Sequence, residues 1–425
     1  MESTSLIAAN EYEVQWLNYH YNPGTQKFHH NIDRDLHCFV AWTEAKPMVP
    51  EIREELSSRF KIVCDLEFAW SREHLAENTY RLYELPIRLE GRDFYQDERL
   101  KKTGDGNFHF FVVEDKDAAY VYDQSVSGNL ELVNPKVVEV KRLFRKRLGL
   151  NRVHSSNNIE EFYTQAALIL GPDMLTDVLN GKEIVESEIL HKDLEGCGGW
   201  KNLRQLFTLL NFGADYLVLR NFESLPDNPE DDIDFLTRDY QKLASLANLK
   251  QKVKENRPYK GVLQVGDQEL PVDIRFIGDG YYDAVWEKEM LERKIRSGSF
   301  YIPRADDYFF SLFYHARIHK LKVRDDYFSR LESLAQQIGY NQFGKDILDS
   351  DEQTGKLLGG YMTANGYRYE SPIDAGVKEN KPVISYLPGK MEYSRKEKVK
   401  ILKNLKIVIK KLLPQGVVEY FRKRS

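Results

Sequence analysis

The stretch Asp231-Asp232-Ile233-Asp234-Phe235-Leu236 constrains this chain more than any other. Successive side chains of a β-strand point to opposite faces. Asp232 and Asp234 therefore share one face, with Ile233 and Phe235 on the other. Along a strand the two carboxylates stand about 7 Å apart, and both stay ionised only beside a counter-charge. A divalent cation is the usual one, and Mg2+ takes hard oxygen ligands, commonly one or two carboxylates plus substrate phosphates. A matching acid follows in "LPVDIRFIGDG", where Asp273 sits mid-strand between Val272 and Ile274. An aspartate there is costly unless paired, and Arg275 lies two residues on, along the same face. Asp232, Asp234 and Asp273 together predict a site for Mg2+ or Mn2+, which would activate an attacking hydroxyl and stabilise a leaving phosphate. The residues leave a plainer alternative open, with Asp231 and Asp232 as solvated loop acids and Asp273 paired to Arg275.

The segments around these strands have a readable order. "KNLRQLFTLLNFG" has helical spacing, "DYLVLRN" and "DIDFLTRD" read as strands, and "YQKLASLANLKQKV" as a helix. Residues 261–280 predict a hairpin with Gly266-Asp267 in its turn. A helix over 283–294, a short strand "SFYI" and helices over 304–321 and 325–338 follow. Residues 340–390 are turn-rich and show no clear period.

This order, with Asp-hydrophobic-Asp after a helix and a strand and a later strand aspartate, resembles the nucleotidyltransferase fold of the DNA polymerase β-like superfamily over about residues 198–335. In that superfamily a Gly-Ser pair after the first strand grips the nucleotide phosphates. Here the slot reads "LRNFES", so the pair is absent and Arg220 or Asn221 would replace it. The resemblance implies a Mg2+-dependent nucleotidyltransferase or related phosphotransferase. Its partners would be a nucleotide and a phosphorylated or hydroxyl acceptor such as a glycan, as in bacterial surface polysaccharide or glycolipid assembly. Asp232 and Asp234 would hold metal, Asp273 would complete the site or act as general base, and Arg220 and Arg275 would neutralise phosphate. Two alternatives stand beside it: a non-catalytic nucleotide- or partner-binding scaffold that keeps the fold, and a toxin-like nucleotidyltransferase modifying RNA or protein.

Upstream, the periods are mixed. Strands are expected over 36–42, 61–70 and 108–115, and helices over 51–60, 71–83, 134–149 and 155–171, the last with an asparagine cap and stopped by Gly171. The expected fold class is α+β: a mixed α/β domain over 1–172, a linker over 173–197, a nucleotidyltransferase-like mixed sheet over 198–340, and a helical, turn-rich extension over 341–425. The glycines of "GCGGW" (196–200) mark the joint.

Other residues carry weaker signals. His315 and His319 are four apart on one helix face. His319, Lys320 or Lys322 would contact phosphate or acceptor, the alternative being a satisfied interior histidine with solvated lysines. Tyr281 and Tyr282 could stack a base or sugar, although core packing is their commoner use, as it is for Trp286. His154, Ser155 and Ser156 precede a helix start, where an anion can bind, or form a plain cap.

Composition excludes little: 425 residues with 42% hydrophobic content and a net charge of −5 describe an ordinary globular chain. Cys38, Cys64 and Cys197 share no disulfide or metal spacing, which predicts a reducing compartment. No signal peptide or membrane span is expected, so the expected location is cytoplasmic. Charge is uneven, with eleven Lys/Arg against two Glu over residues 394–425. On a helix over 394–413 the apolar residues form one arc facing lysines, the pattern of a segment lying on the inner face of a membrane. A helix docked on the core, with its lysines solvated, is the alternative. Nucleic acid is not the expected partner, since the chain is acidic overall and this helix lacks interleaved aromatics.

Overall fold

Strand alternation builds the first layer. The computed structural model describes residues 21–22, 27–28, 34–84, 104–124, 130–149, 152–229, 232–251, 260–320, 323 and 325–389. The fold is α+β, organised on two five-stranded sheets. The first contains β1 (Leu36–Trp42), β2 (Lys61–Ala69), β3 (Asn107–Glu114), β4 (Val153–Ser155) and β5 (Ile184–His191), in the spatial order β4-β1-β3-β2-β5. Every residue of β1 is buried, because helices cover both faces. Cys38, Val40 and Trp42 enter one core, while Phe39 and Ala41 enter another with Val137, Val140 and Phe144 of helix α3. Helices α1 (Val49–Arg59) and α3 (Pro135–Leu148) cover that second face, and α2 (Leu75–Leu82) follows β2. Asn134 caps α3 by accepting from Lys136 N and Val137 N, ahead of a proline at the first turn.

Helix α4 (Ile159–Leu179) opens on the expected asparagine cap but starts later and ends later than expected. Asn158 caps it, so His154 and Ser155 lie in β4 instead. The predicted stop at Gly171 is a kink: Gly171 takes φ +77°, and Pro172 follows, but the chain resumes a helical path to Leu179. Residues 173–197, read as a linker, thus hold the end of α4 and all of β5, which pairs parallel with β2. Most of β5 is exposed. Its polar run Glu186-Ser187-Glu188 blunts this sheet edge, and that same run hides its strand character in the sequence.

The second sheet has the order β6-β7-β10-β9-β8, with β6 (Tyr216–Arg220), β7 (Ile233–Thr237), β8 (Lys250–Gln251), β9 (Lys260–Val265) and β10 (Gln268–Phe276). β7 and β10 are parallel; the other pairs are antiparallel. Helices α5 (Leu203–Gly213) and α6 (Tyr240–Leu246) pack on one face, where Ile233, Phe235, Val272 and Ile274 join the core that also holds Leu168 and Phe110 of the first unit. The predicted helix over 240–253 ends early: Asn248 adopts φ +55° and the chain turns into β8.

The opposite face, with Leu217, Leu219 and Leu236, belongs to an aromatic core. Helices α7 (Ala284–Arg293), α8 (Ala305–Tyr314), α9 (Asp325–Gln337), α10 (Lys345–Asp349) and α11 (Asp351–Asn365) supply it. Trp286 stacks on Tyr367 there, with ring centroids 5.4 Å apart. The unassigned stretch 340–390 therefore contributes α10, α11 and a short helix α12 (Lys381–Ile384).

At the joint, Gly196, Gly198 and Gly199 all have positive φ. Trp200 N donates to Gln264 O and its indole Nε1 to Ala247 O. Among the described residues no helix is long and apolar enough to cross a membrane. The basic segment 394–413 lies outside the described residues.

Candidate functional site

The register of the second sheet sets four charged residues side by side. Arg220 pairs with Asp234, Asp234 with Asp273, and Asp273 with Lys260, so β6, β7, β10 and β9 carry plus, minus, minus, plus in one row. Simple alternation would turn Arg220 to the face of Val218. A bulge between Val218 and Arg220 adds a residue and re-aims the guanidinium onto Asp234.

This row floors a cavity of about 460 Å³, which all eight sequence-predicted site residues line: Asp232, Asp234, Asp273, Arg220, Asn221, Arg275, His319 and Lys320. Tyr281, His315, Tyr327 and the 374–378 segment complete its wall. Asp232 is half-buried just before β7; Asp234 and Asp273 are buried. Asn221 adopts φ +56°, a conformation asparagine tolerates, and accepts a hydrogen bond from Arg330 Nη1 at 2.9 Å.

Protein cations already answer the carboxylates. Arg220 Nη2 donates to Asp234 Oδ1 at 2.6 Å, and Asp273 Oδ2 faces Arg275 Nη2 at 2.9 Å and Lys260 Nζ at 3.2 Å. The pairing of Asp273 with Arg275, raised as the plainer alternative, is thus present. Arg275 is also hemmed by Asp374 at 3.4 Å and Asp279 at 3.8 Å and lies over the Tyr281 ring. Only its Nε is buried without a partner, so Arg275 has little left to offer a phosphate. Arg220 Nη1 is likewise buried and unpartnered, and Lys320 and Lys378 are exposed at the rim with no carboxylate partner among the described residues.

The two central aspartates differ in acidity. Burial pushes Asp234 up to about 7; Arg220 opposes this, and the charges of Asp232 and Asp273 add to it. Burial also raises Asp273, but Arg275, then Lys260, outweigh it and hold that carboxyl below its usual range. Two neighbouring carboxylates with split acidity suit proton transfer.

A hard cation fits this donor set. All donors are carboxylate oxygens, and Asp273 Oδ1 is buried with no hydrogen-bond partner. Mg2+ keeps several waters and needs only one or two carboxylates, which Asp273 and half-buried Asp232 satisfy. Among the described residues, however, the three carboxylates do not converge within 4.8 Å of one another. Side-chain movement would have to accompany full three-acid ligation.

The histidines act as struts. Helix α8 continues into a π-helical turn over His315–His319, a distortion common at functional sites. His315 Nδ1 meets the Tyr281 hydroxyl. His319 Nε2 lies 3.0 Å from Tyr281 O and Nδ1 lies 3.2 Å from Lys378 O. Burial lowers the His319 pKa to about 4 and takes His315 well below its ordinary value. Both are neutral at pH 7, and His319 then donates to one carbonyl only. Tyr281, Tyr282 and Trp286 are buried, as core packing requires, although Tyr281 also lines the cavity. His154 is buried and the helix start beside it is served by Asn158. Lys322 and Asp231 lie outside the described residues.

Two neighbours hold the wall in place. Gly280 has φ +76°, and a Cβ there would lie 2.4 Å from Ser371 O. Gly280→Ala is expected to cost roughly 1–3 kcal/mol and to displace the 371–377 segment, read as a lower Tm and faster limited proteolysis near residue 374. Buried Glu287 accepts from Gly278 N at 2.7 Å and from Tyr282 N at 3.2 Å, fixing the turn that carries Tyr281. Burial, then the Asp279 charge, raise its pKa well above the usual value. Stability from such a group is present below the unfolded carboxylate pKa of about 4.3 and is lost as pH rises toward the folded value. Glu287→Gln cannot ionise, so its Tm relative to the parent should climb between about pH 5 and pH 8. A flat difference would show that Glu287 is ionised in the fold.

Sequence reasoning missed Lys260, Asp374 and Lys378. Lys260 has a faint signal, opening the strand antiparallel to that of Asp273. Asp374 and Lys378 sit in an aperiodic stretch about 100 residues beyond Asp273 and only packing brings them in. Comparison of the chain with protein-family models, with curated proteins and with solved structures finds no match.

Proposed function

We propose that the cavity is the active site of a Mg2+-dependent nucleotidyltransferase or related phosphotransferase. One observation carries the reading: Asp234 and Asp273 are in-register neighbours on parallel strands, beside Asp232, and all three line one cavity with Lys320 and Lys378, which have no carboxylate partner among the described residues. The cation would sit against Asp232 and Asp273, with Asp234 beside them, and when bound would supply Lewis acidity toward a phosphoryl oxygen. The chain's own residues do the rest. Arg220 Nη1, in the slot where the resembling superfamily uses a Gly-Ser pair, draws in the phosphates together with Lys320 and Lys378. Asp234, with its raised pKa, can take the proton of an acceptor hydroxyl near neutral pH. The acceptor proposed is a hydroxyl or phosphorylated group such as that of a glycan. A cytoplasmic protein held on the membrane surface through residues 394–413 would suit lipid-linked acceptors.

A second reading has its own observation. Arg220, Arg275 and Lys260 already balance the acids, as in a scaffold that binds nucleotide without turnover. Calorimetry with nucleoside triphosphates, with and without Mg2+, combined with an assay for release of pyrophosphate or nucleoside diphosphate, separates the two. Mg2+-dependent binding with release supports the enzyme, and binding without release supports the scaffold. No binding at roughly millimolar nucleotide, about −4 kcal/mol, removes both.

A further inference from the structure

A second cluster of metal-ligating side chains lies away from this cavity, at the junction of the two sheets. His74 ends the turn ahead of α2, while Asp193 and Cys197 lie in the connection that leaves β5 for the second sheet. One ring nitrogen, one carboxylate oxygen and the thiol sulfur all lie within 4.8 Å of one another, and each residue is half-buried. Asp193 and Cys197 are four residues apart, but His74 stands more than 100 residues upstream, and only the fold brings it to them.

The surroundings are built to hold these donors in place. Asp193 Oδ1 accepts from Ser71 N at 2.8 Å and Asn78 Nδ2 at 2.6 Å, while among the described residues no donor meets its other oxygen. That is how an outer shell orients a ligating carboxylate. Cys197 stands between Gly196 and Gly198, both at φ +73°. This tight turn is clamped from outside: Gly198 N donates to Glu77 Oε1 at 2.9 Å, and Asn248 Nδ2 donates to Gly196 O and to Glu77 Oε1, both at 2.8 Å. Gly198 packs beside the His74 ring, which a Cβ there would meet at the ordinary contact distance of 3.5 Å.

We propose that His74, Asp193 and Cys197 form a Zn2+ site that clips the start of α2 to the connection between the two sheets. A set of one nitrogen, one oxygen and one sulfur suits Zn2+ and not Mg2+. Three protein ligands leave the fourth tetrahedral position to water. Binding replaces the S–H bond with an S–Zn bond and releases one proton to solvent, with no change of oxidation state. The position explains the need: α2 also sends Arg81 to carbonyls of the connection and of α6, so the clip fixes the angle at which the first unit meets the sheet that carries the acids.

The test uses the full chain, stripped with chelator and titrated with Zn2+ or Co2+ alone. The parent should bind about one ion per chain, show the near-ultraviolet thiolate-to-cobalt charge-transfer band, and melt higher with Zn2+. Cys197→Ser should lose the band, and His74→Ala should lose affinity at least about 100-fold; Asn78→Ala, which removes the donor to Asp193 Oδ1 and the acceptor of Leu194 N, should lose roughly 10–100-fold. Asp232→Asn should leave Zn2+ binding unchanged, so failure here and failure of the nucleotidyltransferase reading are distinguishable. Absence of the cobalt band in the folded parent, or full Zn2+ affinity in folded Cys197→Ser, overturns the proposal.

Discussion

Asp232→Asn should reduce Mg2+-dependent turnover at least about 100-fold, or about 2.7 kcal/mol of transition-state stabilisation, while leaving Tm almost unchanged. Asp232 is the right probe because of where it sits. Asp234 and Asp273 are buried against Arg220, Arg275 and Lys260. Neutralising either strands a buried cation, an effect that reaches about 3–5 kcal/mol, and so confuses activity with folding. Asp232 is half-buried, opens on the cavity and precedes β7. Its loss removes a donor without orphaning a partner among the described residues. Pyrophosphate release and calorimetry with Mg2+ read the effect, and differential scanning fluorimetry reads the fold. If Asp232→Asn binds Mg2+ and turns over as the parent does, the cavity is not a metal-dependent transferase site.

The second large effect is on stability. Arg81→Met should destabilise the protein by about 3–5 kcal/mol and split one melting transition into two. Arg81 is fully buried at the junction. Its Nε donates to Ser245 O at 2.9 Å, and its Nη2 donates to Glu195 O at 2.7 Å and Leu246 O at 3.0 Å. Hydrogen bonds from a charged donor are worth about 1.5–3 kcal/mol each, and methionine keeps the stem while leaving three buried carbonyls unsatisfied. Glu77 also loses its nearby counter-charge. Arg81 belongs to the first unit and these carbonyls to the connection and to α6 of the second, so the loss falls on the coupling of the units rather than on either core. Calorimetric unfolding checks this, and a single transition within about 1 kcal/mol of the parent would show that the shared apolar core alone couples the units.

Much of the site was legible because strands advertise their faces. Asp-Ile-Asp beside an apolar run, and Asp273 between Val272 and Ile274, announce carboxylates directed away from one core. That pattern led to Asp232, Asp234, Asp273 and Arg275, which line the cavity together with the four other residues the sequence singled out. Their partners were less legible. The bulge that turns Arg220 onto Asp234 is a matter of register, and the sequence around it alternates as an ordinary strand would. Arg275 looked like a phosphate ligand and is instead enclosed by Asp273, Asp279 and Asp374, one of which comes from a stretch with no period. The linker over 173–197 was misread for a related reason: an exposed edge strand has no buried face, so β5 carries no alternation to detect.

By itself the sequence determined which faces of β7 and β10 are buried and which bear charge, since side-chain alternation is local and two acids two residues apart cannot avoid sharing a side. Only the tertiary structure decided what stands opposite those acids. Neighbouring strands, a π-helical turn and a distant loop bring cations and histidines to them, and the junction gathers His74, Asp193 and Cys197. Contacts between residues far apart in the chain follow from how whole elements pack, and no local pattern encodes that.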